Sequence, residues 1–90
     1  MKGVSMSQAE SRLEAFEAAR SVISIARANE ILRWKNWQHG GVLGGAPKPP
    51  FPRLTPEENN AIRRLWMTLD GSSCWMSALY MLRNDERPAS

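Results

Sequence analysis

One cysteine and one histidine are the only thiol and the only imidazole in these 90 residues. A lone Cys74 permits no internal disulfide, which favours a reducing compartment. A zinc site needs about four Cys, His or carboxylate ligands, and Cys74 and His39 with no carboxylates spaced beside them cannot supply it. No metal and no cofactor is expected. Thiol catalysis needs the nucleophile and its base within hydrogen-bond reach. Here His39 falls on a different element from Cys74, and Cys74 falls in the most apolar stretch of the chain, where a thiolate is disfavoured. Long apolar runs are missing as well. Nothing approaches the roughly 20 residues of a membrane span, and the N-terminal MKGVSMSQAESR has no apolar core of a signal peptide. Alternation of period two is absent too, so no strand is predicted.

Two further patterns resemble chemistry and are better explained otherwise. Glu57 and Glu58 are adjacent carboxylates, but they stand in the first turn of a predicted helix, where acids complement the positive end of its dipole. Gly40-Gly41-x-x-Gly44-Gly45 evokes a phosphate loop. It lacks the lysine–serine ending, follows a helix instead of a strand, and runs into prolines. It reads as a flexible joint. No catalytic residue and no enzyme activity are expected.

What the chain does hold is organised around residues 40–54, GGVLGGAPKPPFPRL, with four glycines and four prolines. Such a segment neither continues a helix nor pairs fully in a sheet. It divides a flexible leader (1–6) and an N-terminal helical arm (7–39) from a C-terminal helix pair (55–84) and a polar tail (85–90). The fold class expected is all-α: a small helical bundle or hairpin of three helices, or four if the first is broken, joined by the long connector into one domain. The arm should begin at a capping box, Ser7-Gln8-Ala9-Glu10. It carries an apolar stripe, Leu13, Phe16, Ala19, Ile23 and Ala26, then a rotated one at Ala28, Ile31 and Leu32. The rotation implies a bend near Arg27–Asn29 or a change of partner. Gly40 should supply the stop. Thr55-Pro56-Glu57-Glu58 is the clearest helix start, an N-cap, a first-turn proline and a capping box, and Ile62, Leu65, Trp66 and Leu69 follow on one face. Ser72 or Ser73 should cap the last helix, Cys74 to about Arg83, which is apolar nearly all round. That excess predicts self-association through Trp75, Met76, Leu79 and Tyr80, giving a homodimer.

The remaining features suit binding. Net charge is +3, and it resides in the arm and connector, the C-terminal part being near neutral. Trp34 and Trp37 lie three apart on a helix that also bears Arg33 and Lys35. They either close the core or form an aromatic–basic surface for a protein or for stacked nucleotides. The connector repeats the mixture with Lys48, Phe51 and Arg53 among prolines that should be extended and pre-ordered. It reads as a docking element or as a strap over the core through Phe51 and Leu54. Arg63 and Arg64 stand on the outer face of their helix, either solvated or touching phosphate or an acidic partner.

The order W-x-x-W, a Gly/Pro-rich loop, then AIRRLWMTLDGSSCWMSALYML resembles small phage antitermination proteins of the Q type. Those have a tryptophan-rich N-terminal helix, a variable loop, and helices akin to the leading part of sigma-factor region 4. The likeness spans about Trp34–Leu82, with Ala61–Leu69 and Leu79-Tyr80 matching the helix pair in pattern. It implies a phage regulatory protein in the cytoplasm of a bacterial host that docks on RNA polymerase. The chain stops where the DNA-reading helix-turn-helix of region 4 should begin, so nucleic acid is a secondary partner. Small size and absent catalysis equally fit a phage inhibitor of a host defence or replication protein, of the anti-CRISPR kind, working by steric occlusion on a CRISPR effector. Neither reading involves a membrane.

Overall fold

The computed structural model describes residues 11–41, 45, 47–69 and 74–89. The leader 1–6, the box expected at Ser7–Glu10 and the caps expected at Ser72 or Ser73 lie outside them. Among the described residues the chain is all-α, with four α-helices and no strand: α1 Arg12–Arg20, α2 Ile25–Asn36, α3 Pro56–Met67 and α4 Trp75–Arg83.

α1 starts at Ser11, whose extended backbone precludes one continuous helix from Ser7. Its side chain accepts from the Glu14 N–H while Glu14 reaches back to the Ser11 N–H, so both first-turn donors are satisfied. The arm then breaks, but at Ser21–Ser24 and not at Arg27–Asn29, which are inside α2. The Ser21 hydroxyl donates to the Ala18 carbonyl at 2.6 Å, and the Ser24 side chain accepts the Arg27 N–H at 3.0 Å. Serines that satisfy the backbone this way compete with the helical ladder and restart it. Between them Ile23 is fully buried and anchors the corner. Gly40 does not stop α2 either. The chain continues through a π-helical turn, Trp37–Gly41, and the described glycine with positive φ is Gly45 at 76°.

α2 packs most extensively on α4, α1 on α3, and α3 on α4. The core is Ala15, Phe16, Ala19, Ile23, Ala28, Ile31, Leu32, Ala61, Ile62, Leu65, Ala78, Leu79 and Leu82. Of the first predicted stripe, Ala26 is exposed, and Ala15 takes its place inside. α4 buries Ala78, Leu79 and Leu82, while Trp75, Met76, Tyr80 and Met81 are half-buried against the core. Leu79 is therefore unavailable for self-association, because its side chain is spent within the bundle.

Three arginines tie the arm to the rest. Arg12 donates twice to the Thr68 carbonyl beyond α3, satisfying an orphan acceptor at a helix end. Arg20 donates to the Leu82 carbonyl at 3.2 Å and to Asp85 at 3.0 Å. Arg27 bridges α2 to the start of α3. The α4 end is closed by a Schellman pair, Glu86 N–H to Met81 and Asp85 N–H to Leu82. Asp85 fills the left-handed position at φ 54°, which glycine usually takes. Arg87 adds an ion pair to Glu17. Among the described residues no helix is long and apolar enough to cross a membrane.

Candidate functional site

The end of α2 and the proline strap meet. A polyproline-like segment repeats every three residues, and the strap follows that period in its exposure. Pro49 and Pro52 are buried, whereas Lys48, Phe51 and Arg53 are exposed. Lys48 and Phe51, also three apart, thus share an edge facing α2. The Phe51 ring meets Trp34 edge-on, centroids 5.1 Å apart at 71°, and Trp34 lies 5.2 Å from Trp37. The Lys48 ammonium sits 5.6 Å from the Trp34 centroid and 5.8 Å from that of Trp37, inside cation–π range of both. Phe51 remains 63% exposed, so it does not cover the core. Leu54 does, half-buried against it.

The strap is held at its C-terminal end by Arg27. Its Nη2 donates to the Arg53 carbonyl at 2.7 Å, and Nε and Nη2 donate to the two Glu58 carboxylate oxygens at 2.8 and 3.0 Å. Glu58 also accepts the Thr55 N–H at 3.0 Å. These bonds raise the Arg27 guanidinium further above its ordinary value, through Glu58 first and Glu30 second. They hold the Glu58 carboxyl below its ordinary value, through Arg27 first and against the opposing effect of burial. The clamp fixes where the strap enters α3, and so where Phe51 and Lys48 stand.

Trp34, Trp37, Lys48 and Phe51 are thus brought together, and Arg33 and Arg53, their neighbours in sequence, are exposed. Lys35 is not part of this face. One residue along a helix turns it by about 100°, and its ammonium lies 5.2 Å over the Trp75 ring of α4. There it lines a hollow of about 520 Å³ with Asn36, His39, Cys74, Trp75 and Met76. Trp75 and Tyr80, expected to meet a second copy, have partners within the chain: Tyr80 donates to Asn36 at 3.3 Å and lies under Arg83. Arg63 and Arg64 are exposed on α3.

Cys74 is exposed, not buried, because it is the N-cap residue of α4 and precedes the apolar helix. The Ser77 hydroxyl, 3.8 Å away, and the Met76 amide lower its thiol from the ordinary value. His39 and Cys74 line the same hollow, although the groups that acidify the thiol are on α4 itself. Among the described residues no group of three or more His, Cys, Asp or Glu side chains could hold a metal ion.

The spacing of Lys48 and Phe51 against Pro49 and Pro52 carries the three-residue period that puts both on one edge, but which helix they face is decided by tertiary packing. No protein-family model, no curated protein and no solved structure matches the chain.

Proposed function

We propose that this protein is a non-catalytic regulatory module of phage type that docks on a bacterial nucleic-acid machine through the Trp34–Trp37–Lys48–Phe51 face, with RNA polymerase as the partner and antitermination-like modulation as the outcome. The observation that carries the docking reading is the gathering of three aromatic rings and a lysine from two segments into one partly exposed surface. Aromatic side chains near cations are the residues that dominate protein interfaces. Support for transcription as the setting comes from the resemblance to Q-type proteins over Trp34–Leu82.

Transcription in vitro with purified bacterial RNA polymerase across an intrinsic terminator tests it. Added protein should raise read-through, and the Trp34→Ala/Trp37→Ala protein should not, while keeping the wild-type circular dichroism. Unchanged termination at saturating protein would overturn the transcription reading.

A further inference from the structure

We infer that the Trp34–Trp37–Phe51 face receives an acidic segment of a partner protein, with a carboxylate pairing to the Lys48 ammonium and a neighbouring apolar side chain packing on the rings. The inference rests on the docking reading above and names the chemistry of its partner.

Charge is the first argument. Residues 31–54 include Arg33, Lys48 and Arg53, besides Lys35 on the side of α2 that meets Trp75, and not one acidic residue. Of the nearest carboxylates on either side, Glu30 and Glu58 are engaged by Arg27, and Glu57 stands exposed in the first turn of α3. The face is positive, and complementarity asks for an anion. The placement of Lys48 is the second. Its ammonium already lies over both indoles, so a nucleobase could stack there only by displacing it from two cation–π contacts. A carboxylate can approach the same ammonium and leave both contacts intact. An acidic peptide is therefore favoured over single-stranded nucleic acid, although both are anionic. The third is Phe51. Its ring is largely exposed yet fixed edge-on against Trp34, so an aliphatic or aromatic side chain can bury apolar area there at little ordering cost.

The probes are a labelled synthetic peptide rich in Glu and Leu, its counterpart with every Glu replaced by Gln, and an oligothymidylate of equal negative charge, each followed by fluorescence anisotropy. The acidic peptide should bind, the Gln peptide should not, and the oligothymidylate should bind more weakly than the peptide. Lys48→Ala should weaken peptide binding about fivefold, the size of an exposed ion pair. Lys48→Glu should abolish it, Lys48→Arg should retain it, and Arg63→Ala should leave it unchanged. Lys48 is exposed, so its variants keep the test valid if Trp34→Ala fails to fold. Equal binding of the Gln peptide, tighter binding of the oligothymidylate, or indifference to Lys48→Glu would each overturn the inference. Polymerase binding that depends on Trp34 without any affinity for the acidic peptide would sink this inference alone. Peptide binding without polymerase binding would support it and sink the transcription reading.

Discussion

Arg27 joins three segments with one side chain: its own helix through Glu30, the strap through the Arg53 carbonyl, and the start of α3 through Glu58. Glu58 is 8% exposed, so removing Arg27 would leave a nearly buried carboxylate without its paired cation. Arg27→Ala should therefore cost about 2–3 kcal/mol, read as a lower denaturation midpoint in urea. Lysine cannot reproduce the paired donation, so Arg27→Lys should recover only part of the loss. The same contact makes stability depend on acid. A carboxyl whose folded value lies below its ordinary one adds stability that is fully present above the ordinary value and is lost as pH falls through the folded value. The ordinary value here is 4.5, so stability should decline below about that pH. In Glu58→Gln this part of the profile should be flat, and a midpoint-against-pH series on both proteins checks it.

The helices themselves show which signals are local and which are not. Thr55-Pro56-Glu57-Glu58 is legible from the sequence because its two capping bonds close within four residues: the Glu58 N–H donates to the Thr55 hydroxyl at 3.1 Å and the Thr55 N–H to the Glu58 carboxylate at 3.0 Å. The start of the arm is less legible. Ser-x-x-Glu occurs at Ser7 and again at Ser11, and spacing alone cannot rank them. Ser11 caps the helix whose Arg12 reaches Thr68 and whose Ala15 and Phe16 enter the core. The break at Ser21–Ser24, instead of Arg27–Asn29, is not legible because helix-forming residues on both sides hide two serines whose side chains satisfy the backbone. At α4 the cap is a cysteine that makes no capping hydrogen bond, where serine would be preferred. Cys74→Ser should accordingly stabilise the protein by about 1 kcal/mol, and Thr55→Ala should destabilise it by about the same amount. Thermal unfolding of the two variants, moving in opposite directions from wild type, is the check.

At the scale of the whole molecule, the uneven positive charge divides into two uses. Arg12, Arg20 and Arg27 are drawn inward to helix ends and carboxylates across the bundle. Arg33, Lys48 and Arg53 stay outside, Lys48 over the indoles of the aromatic face. The sequence shows six basic residues in 1–38 but not this division, since a guanidinium's partner is fixed by the approach of a distant helix. The same limit separates Lys35 from Trp34, its chain neighbour, and brings Phe51 to Trp34 across the strap. The aromatic–basic mixture was legible as composition; its assembly into one surface came only with the packing of the strap on α2. The account stands or falls on that surface being where a partner binds. The most direct measurement is the affinity of purified RNA polymerase for the Trp34→Ala/Trp37→Ala protein relative to wild type, with Arg63→Ala/Arg64→Ala as a control and circular dichroism confirming each fold. The account predicts a loss of at least about 30-fold for the tryptophan pair, the size of an interface hot spot, and little change for the arginine pair. Equal affinity of the wild-type and tryptophan-less proteins would contradict it.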